Sequence, residues 1–158
     1  MVEKRFDHHR RLTCPVCGYI HYHNPVPACA VILEREGKIL LCQRKYPPYA
    51  DGWTLPSGFL ESDETPQECA RREAKEETNL DIEVGEVFGV YAGGDDPRTK
   101  VTLIVFLGKI KAGEARPGDD AKALDFFFPQ DLPGEIAFQA HRRVLKDFYS
   151  QKGIQIPL

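Results

Sequence analysis

The sequence predicts an α+β fold, an α/β/α sandwich in which a mixed β-sheet is flanked by helices. The first observation is size, because 158 residues, 42% of them hydrophobic, are enough for one compact domain with its own core. The second is that short apolar runs rich in strand formers recur along the chain. The third is that helix-like segments separate or follow these runs, and intermixed strands and helices build a sheet covered by helices.

The main domain is expected over residues 28–158, after a lead-in over residues 1–27. The lead-in is polar, rich in histidine and without sustained periodicity, and it ends in the prolines of HNPVP. The runs ACAVILE and KILLCQR follow, and they predict a hairpin whose turn, REGK, contains Gly37. The next segment, KYPPYADGWTLPSG, carries three prolines and two glycines, so we expect a long loop with a functional role.

The sequence of the second half of the domain predicts three more strands and a helix. The runs DIEVGEVFGVY and KVTLIVFLGKI are strand-like, and the second is apolar enough to be central in the sheet. LDFFF is a short strand that ends at Pro129, and a helix is expected over residues 134–150. One stripe of this helix should pack on the sheet and make its histidine a core residue: Phe138, His141, Leu145 and Phe148.

Charge and composition narrow the function classes. The formal net charge is −3 with both signs interspersed, which gives no basic field for nucleic acid. No apolar run approaches the ~20 residues of a membrane span, and the first residues lack the apolar core of a signal peptide, so we expect a cytoplasmic protein without a membrane partner. In a reducing compartment, three of the five cysteines are expected to be small buried thiols: Cys29, Cys42 and Cys69.

One helix is defined by its two ends. Thr65 and Glu68 have the spacing of a capping box, with Pro66 at the first helical position, so a helix begins there. It is expected to end near Thr78, because Asn79 readily adopts the left-handed conformation that closes a helix. The segment before it contains a glycine loop, which gives the order strand, loop, helix.

Three carboxylates crowd onto one face of this helix. Glu73, Glu76 and Glu77 fall within roughly a 100° arc. Like charges at these spacings cost an isolated helix about a few tenths of a kcal/mol per pair, and Arg72 relieves only Glu76 by pairing at i, i+4. Mg²⁺ and Mn²⁺ take carboxylate oxygens from one or two residues, so the arc is a candidate metal platform. In the loop before it, Gly58 allows a backbone carbonyl to approach the same ligand.

The order of these residues resembles the signature of the Nudix hydrolases. The matching positions, at the spacing of the family, are Gly58, Glu64, Arg72, Glu73, Glu76 and Glu77. The departure is Asn79, where the signature has glycine; asparagine tolerates the same backbone conformation, so helix closure is affected and the metal ligands are not. The signature covers residues 58–80, and the order of strands around it resembles the sandwich of the family over residues 28–150.

The resemblance implies hydrolysis of a nucleoside diphosphate linked to another group, by attack of water on the pyrophosphate. It implies that Mg²⁺ or Mn²⁺ is held by the Gly58 carbonyl and three carboxylates: Glu73, Glu76 and Glu77. Glu64 and Arg72 would orient these ligands. Two such cations would neutralise the pyrophosphate and lower the pKa of a bound water.

The general base is left open between two places in the sequence. It is either Glu73 on the helix or a carboxylate of the later loop GEARPGDD, which contains Glu114, Asp119 and Asp120. Asp120 is the loop residue that we assign to the catalytic set. The alternative is that this loop is a solvated surface segment.

Substrate contacts are predicted from the loop before the signature and from the strand that precedes it. Arg44 is a candidate for the phosphates, although lone arginines are more often surface residues. Tyr46, Tyr49 and Trp53 could stack on a nucleobase, or they could form an apolar cluster under the loop. The resemblance favours ADP-ribose. The alternatives are FAD, NADH, diadenosine polyphosphates, oxidised nucleoside triphosphates, and a module that binds nucleotides without catalysis.

The sequence CPVCG in the lead-in resembles one half of the zinc ribbon that precedes the Nudix domain in some members. Cys14 and Cys17 supply two sulfur ligands, and a structural zinc needs four. The remaining ligands could come from histidines of the lead-in: His8, His9, His21 and His23. The alternative is that CPVCG is a degenerate zinc knuckle, a Cys-x2-Cys turn that no longer binds zinc. A ribbon of this kind would either help a homodimer to form or lean over the substrate site.

Overall fold

The computed structural model describes residues 1–96, 99–118 and 120–158. The strands are β1 Val2–Phe6, β2 His9–Thr13, β3 Ile20–His21, β4 Val26–Arg35, β5 Lys38–Arg44, β6 Trp53–Thr54, β7 Ser57–Phe59, β8 Asp81–Gly93, β9 Val101–Ala112 and β10 Ala121–Phe127. The helices are α1 Pro66–Thr78 and α2 Gln139–Gln151, with a 3₁₀ turn at Pro129–Asp131. Within these ranges neither helix is long and apolar enough to cross a membrane.

Seven strands form one mixed sheet. Five of them lie in the order β10-β5-β4-β9-β8, with β6 paired to β5 and β7 paired to β4. The β4–β9 pair is parallel, and the other pairs of this sheet are antiparallel. The prediction that β9 is central is confirmed, because β9 lies between β4 and β8. The predicted β4–β5 hairpin turns at Glu36 and Gly37, which have φ of 53° and 78°.

β4 separates two cores, because its side chains alternate between the two faces of the sheet. The core under α2 contains every second residue of the strand, and the core under α1 contains the residues between them: Ala28, Ala30 and Ile32 for the first, and Cys29, Val31 and Leu33 for the second. Helices therefore cover both faces, which confirms the predicted sandwich. The three cysteines expected to be buried thiols, Cys29, Cys42 and Cys69, are free and buried.

α1 begins and ends as the sequence predicts. Thr65 Oγ1 accepts a hydrogen bond from the Glu68 N–H at 3.3 Å, and the Glu68 carboxylate accepts one from the Thr65 N–H at 2.7 Å. Asn79 closes the helix with φ 61°, and its N–H donates to the Lys75 carbonyl. Its side-chain Nδ2 also donates to the Glu114 carbonyl at 3.1 Å. Asparagine therefore adds a contact that glycine at this position could not make.

α2 begins at Gln139, so the predicted start at residue 134 is wrong. The Trp53 N–H donates to the Glu135 carbonyl, and the Ala137 N–H donates to the Trp53 carbonyl, both at 2.9 Å. These bonds hold the preceding stretch extended beside β6, where a helix would leave the same groups unpaired. The helix begins where Asp95 Oδ2 accepts a hydrogen bond from the Gln139 N–H at 2.8 Å.

The lead-in forms a three-stranded antiparallel sheet, β1-β2-β3, which the sequence did not predict. Most residues of these strands are exposed, and Thr13 is the buried one. Because the strands have no buried face, they lack the alternation of apolar and polar residues that marks an amphipathic strand.

Candidate active site

Most of the predicted site residues line one cavity of about 330 Å³. α1 contributes two carboxylates to it, and β5, β7 and the loops beside them contribute the rest. The predicted residues in its walls are Arg44, Tyr46, Gly58, Glu73, Glu77 and Asp120. We name this space the carboxylate cavity.

Glu77 is held from two sides in the carboxylate cavity. The Ser57 N–H donates to Glu77 Oε2 at 3.0 Å, and the Cys42 thiol donates a further hydrogen bond to the carboxylate. Burial raises the pKa of Glu77 to about 8, against the lowering effect of the Ser57 amide, and the nearby charge of Glu73 raises it further. Near neutral pH this carboxylate therefore binds either a proton or a cation readily.

Glu73 rests directly against Gly58. A Cβ built on Gly58 would lie 2.0 Å from Glu73 Oε1, so only glycine leaves room for this carboxylate. Burial raises the pKa of Glu73, and the hydrogen bond from Arg72 partly opposes this effect. Two carboxylates with raised pKa beside a backbone turn form an oxygen donor set that fits Mg²⁺ or Mn²⁺.

Arg72 connects the loop before α1 with the carboxylates on the helix. Its Nε and Nη2 donate to the two carboxylate oxygens of Glu64, at 2.9 and 2.6 Å. Its Nη1 donates to Glu73 at 2.6 Å and to Glu76 at 3.1 Å, and Nη2 also donates to the Phe59 carbonyl at 3.1 Å. The Arg72 hydrogen bonds lower the pKa of Glu64 to about 2, so this bidentate pair stays charged.

Glu76 lies apart from the carboxylate cavity. Its side chain is 59% exposed and pairs with Arg72. Among the residues that the structure describes, no three acidic, histidine or cysteine side chains are close enough together to hold a metal ion. The structure therefore brings Glu73 and Glu77 together, and it leaves the third predicted glutamate at the edge of the site.

The loop between β9 and β10 packs against the C-terminal end of α1. The Gly118 N–H donates to the Glu77 carbonyl at 3.0 Å, and the Arg116 N–H donates to the Thr78 carbonyl at 3.0 Å. A Cβ on Gly118 would lie 1.8 Å from the Glu76 carbonyl oxygen, so the approach requires glycine. The first part of this loop is therefore a cap on the helix and is not simply solvated.

The acidic residues of this loop occupy different places. Asp120 lines the carboxylate cavity, and its backbone carbonyl accepts a hydrogen bond from the Lys45 N–H at 3.1 Å. Glu114 instead forms an ion pair with Arg116, and both side chains are exposed. Asp119 lies outside the described residues. Of the two loop carboxylates that can be compared, Asp120 is the one at the cavity.

A second cavity, of about 360 Å³, adjoins the first, because Arg44, Gly58 and Phe59 line both. Its walls are more apolar, and they include Phe138 and His141 from the start of α2. We name it the aromatic cavity. His141 is buried, as the sequence predicts for a core histidine.

Arg44 lies at the junction of the two cavities. Its Nε donates to the Pro48 carbonyl at 2.9 Å, and its guanidinium carbon lies 5.0 Å from the centre of the Phe138 ring. Burial lowers the pKa of Arg44, and the charges of Glu77 and Asp120 raise it. An arginine stays cationic under these influences, so positive charge is fixed at the junction.

The aromatic residues of the proline-rich loop separate into two groups. Tyr46 is 51% exposed and lines the carboxylate cavity. Trp53 lines neither cavity, because its ring packs edge-on against Phe127, with ring centres 4.9 Å apart, at the margin of the main core. The position of Trp53 therefore fits the apolar cluster that was the alternative to base stacking. Tyr49 contacts Phe138, with ring centres 5.1 Å apart.

Sequence reasoning missed the aromatic side chains of the second cavity. Phe59 directly follows the signature glycine, and this position was the available sequence signal; in the structure its ring is exposed. Phe138 was assigned to the buried stripe of a helix, but it lies before α2 with φ 61°. A bulky residue seldom adopts this conformation, and no local sequence signal marks it.

Cys14 and Cys17 lie in the turn between β2 and β3. The Gly18 N–H donates to the Cys14 carbonyl at 3.0 Å, and the backbone amide of Cys17 lowers the pKa of the Cys14 thiol. His9 pairs with Phe6 at the opposite end of the β1–β2 hairpin. Within the described ranges no third ligand joins the two sulfurs, so the structure shows no zinc site. The zinc ligation stays a prediction.

Comparison with known proteins agrees with this geometry. The chain matches the NUDIX domain over residues 23–148. It is 42% identical over 135 residues to an ADP-ribose pyrophosphatase of Methanocaldococcus jannaschii, which covers 85% of this chain and 79% of the relative. The crystal structure of a NUDIX hydrolase from Nitrosomonas europaea has a TM-score of 0.82 and 35% identity, covering 94% of this chain and 83% of that one.

A further relative is longer than this chain. The NAD-capped RNA hydrolase NudC of Vibrio parahaemolyticus is 31% identical over 146 residues, which cover 88% of this chain and 54% of the relative. The chain therefore spans about half the length of that relative. The sandwich fold and the carboxylate-lined cavity beside a capped helix fit the class of these relatives, which are hydrolases. The chain belongs to the Nudix hydrolase family.

Proposed function

We propose that this protein is a pyrophosphohydrolase that cleaves ADP-ribose into AMP and ribose 5-phosphate. The observation that carries the proposal is the pair of adjoining cavities with Arg44 in the wall of both. One cavity is rich in carboxylates and the other is rich in apolar side chains. A substrate with a pyrophosphate between a nucleoside and a sugar matches this pair, because its charged pyrophosphate suits the first cavity and its apolar base suits the second. The name of the Methanocaldococcus relative supports ADP-ribose as that substrate.

The carboxylate cavity is suited to the pyrophosphate. Arg44 supplies a permanent positive charge for a phosphate oxygen, and its hydrogen bond to Pro48 fixes its direction. Glu73, Glu77 and the Gly58 carbonyl would hold Mg²⁺ or Mn²⁺, the cations that Nudix hydrolases generally use. Once bound, such a cation neutralises phosphate charge and makes a water molecule more acidic.

Neighbouring residues hold the proposed metal ligands in position. Arg72 holds Glu73 from one side, and Gly58 leaves the space that this carboxylate occupies. Ser57 and Cys42 orient Glu77. Glu76, which the resemblance includes among the ligands, would have to turn from Arg72 toward the cavity to take part. Glu64 keeps the arginine in place during such a change, because both of its oxygens are engaged.

Asp120 is the general base that the geometry favours. Glu73 is engaged by Arg72 at 2.6 Å and is one of the proposed metal ligands, so its oxygens already have partners. Asp120 lines the same cavity and is not among the residues proposed to hold the cation. In the proposed reaction Asp120 takes a proton from the attacking water. The water oxygen bonds to phosphorus, and the bridging oxygen leaves with the other phosphate.

The test is hydrolysis of ADP-ribose with Mg²⁺, followed by chromatographic detection of AMP. We expect Glu77→Gln to lower kcat by roughly 100-fold or more, because Glu77 is both buried and central to the donor set. Glu83→Gln is the matched control, since Glu83 is exposed and pairs with Lys111 on the sheet. Loss of AMP release in both variants, or in neither, would contradict the proposal. Intact folding is checked by circular dichroism.

A second candidate is cleavage of NAD-type dinucleotides. The similarity to NudC proteins favours it, although the chain spans only about half of their length. In NADH-cleaving Nudix hydrolases, a proline-rich motif follows the family signature. This motif is missing after residues 58–80 of this sequence. A panel of ADP-ribose, NADH, FAD, diadenosine tetraphosphate and 8-oxo-dGTP at equal concentration ranks these candidates by kcat/KM.

Zinc in the lead-in is a further part of the proposal. We propose that Cys14 and Cys17 supply two of its ligands. His21 and His23 are candidates for the others, and they would have to move toward the sulfurs, because the described residues hold no group of three ligands. The support is the lowered pKa of the Cys14 thiol, because zinc binds the thiolate. β3, which carries His21, follows the cysteine turn directly.

A further inference from the structure

His141 is held in one tautomer at the wall of the aromatic cavity. Its Nδ1 accepts a hydrogen bond from the Leu55 N–H at 3.2 Å. Burial, with the nearby charge of Arg44, lowers the pKa of His141 to about 4, so the ring is neutral under physiological conditions. In a neutral imidazole with Nδ1 as the acceptor, Nε2 must carry the proton. The Leu55 amide therefore turns His141 into a fixed N–H donor.

The Nε2 donor of His141 has no protein acceptor within the described residues. The polar side-chain atoms that are sealed there without a partner are Thr13 Oγ1 and Tyr149 OH. Nε2 is not one of them, although it too lacks a partner, so it is open to the cavity that His141 lines. A donor in this position is left to a ligand or to water.

The rest of this cavity determines which part of a ligand meets the donor. Its walls carry the rings of Phe59 and Phe138 and the apolar side chains of Val101 and Leu103, and Asp95 is among the polar residues at its border. Phosphate belongs in the other cavity, where Glu73 and Glu77 would hold the cation and Arg44 lies at the junction. An aromatic base suits the apolar walls, because rings stack and edge-pack well with phenylalanine. Ring nitrogens are the acceptors that such a base presents within its own plane.

We propose that His141 is a specificity-determining residue that donates a hydrogen bond from Nε2 to a ring nitrogen of the purine base. The proposal rests on the proposed function, since it assigns the nucleoside half of the substrate to the aromatic cavity. A site with a single donor discriminates against bases that have no acceptor opposite that donor. A base with a C–H or N–H group at that point leaves Nε2 unpaired, and the substrate then binds more weakly.

Calorimetric titration of AMP and its deaza analogues tests the proposal without relying on turnover. The ligands are AMP, 1-deaza-AMP, 3-deaza-AMP and 7-deaza-AMP, in which C–H replaces one ring nitrogen at a time. For the wild-type protein we expect one analogue to bind about 10-fold more weakly than AMP and the other two to bind like AMP. Equal affinity for all four ligands, or no binding of AMP, would overturn the proposal.

His141→Asn separates recognition from a merely structural role. The Oδ1 of asparagine can still accept from Leu55, but its amide does not reach the position of Nε2. We expect a melting temperature near that of the wild type, AMP binding weakened about 10-fold, and no remaining difference between AMP and the sensitive analogue. Gln151→Asn, at the exposed C-terminal end of the same helix and outside both cavities, should behave as wild type. If His141→Asn keeps the preference for the intact purine, another residue makes the contact and the assignment is wrong.

Hydrolysis separates this inference from the proposed function. If AMP is not released from any substrate of the panel, the proposed function fails, while the titration still judges His141. If ADP-ribose is cleaved but 1-, 3- and 7-deaza-ADP-ribose are cleaved with equal kcat/KM, the proposed function stands and the His141 contact fails.

Discussion

Arg72 and Glu64 form a two-point contact, with Nε 2.9 Å and Nη2 2.6 Å from the two carboxylate oxygens. The pair joins the loop before α1 to the helix that carries the cavity carboxylates. The same guanidinium reaches Glu73 and Glu76 through its remaining nitrogen. One planar group therefore sets the directions of three glutamates.

Arg72→Lys should lower kcat and weaken Mg²⁺ binding by about 10- to 100-fold, the usual range for residues that orient metal ligands. Lysine keeps the charge but cannot make the planar two-point contact with Glu64. Kinetics at several Mg²⁺ concentrations measure both effects. Arg71→Lys, next to it on the exposed side of α1, is the control and should match the wild type. An Arg72→Lys enzyme with unchanged Mg²⁺ dependence would refute this role.

Glu77→Gln should stabilise the metal-free protein at alkaline pH. The folded pKa of Glu77 is about 8, above the usual value near 4.5, so between these pH values the folded state binds more protons than the unfolded state. The wild type therefore loses stability as pH rises through this window, and glutamine does not titrate. Melting curves in EDTA from pH 5 to 9 should show the variant gaining on the wild type, by an amount of the order of a few kcal/mol.

Addition of Mg²⁺ at pH 8 should reverse this order. A cation replaces the proton on Glu77 and restores the wild type, while the variant gains little. A wild-type melting temperature that rises with pH in EDTA, relative to the variant, would contradict the buried carboxylate.

Asp120→Asn should lower kcat by about 100-fold with little change in KM, as expected for loss of a general base. Glu114→Gln is the matched control on the same loop, because Glu114 pairs with Arg116 away from the cavity. Its activity should stay within about two-fold of the wild type. Should the Glu114 variant lose activity and the Asp120 variant keep it, the base has been assigned to the wrong residue. The pH–rate profile of each variant provides a second check.

Gly58→Ala should abolish activity with only a small loss of fold stability, because the group it displaces is the end of a flexible side chain. The new methyl group would occupy the space of the Glu73 carboxylate, which must then move. Gly134→Ala is the control, because a Cβ there meets no atom within 4 Å. Chemical denaturation and AMP release measure the two effects. If Gly58→Ala is as active as the wild type, Glu73 does not need its observed position.

Zinc should be present at about one ion per chain in protein purified without chelator, and Cys14→Ser should remove it. His8→Asn is the control, since this residue lies at the opposite end of the hairpin from the cysteine turn. Mass spectrometry of the metal content provides the measurement. Wild-type protein free of zinc would leave the cysteine turn as a degenerate knuckle.

Much of the fold could be predicted because its signals are local. The capping box of Thr65 and Glu68, the closing Asn79 and the apolar runs of β4, β5 and β9 each depend on neighbours in sequence. The start of α2 could not be predicted, since backbone bonds between Trp53 and residues 135–137 decide it. These partners are more than 80 positions apart, and nothing in either segment marks the pairing.

The candidate site divides in the same way. The spacing of the helix places Glu73 and Glu77 on one face, and their shared cavity agrees with that prediction. Glu76 was grouped with them, but its pairing with Arg72 depends on where the arginine is held by Glu64. Trp53 was predicted to contact substrate, but its ring packs against Phe127 at the margin of the core. Phe138 was predicted to lie in the core, but it lies before α2 with φ 61° and lines the aromatic cavity.

The alternation of β4 has an evolutionary consequence. Residues on one side of the strand support α1, which carries the acidic groups, and residues on the other side support α2, which borders the aromatic cavity. Substitutions that reshape one side need not disturb the other, since the backbone of the strand stands between them. A lineage can therefore acquire new nucleotide preferences by drift on the α2 side while its hydrolytic apparatus is inherited unchanged.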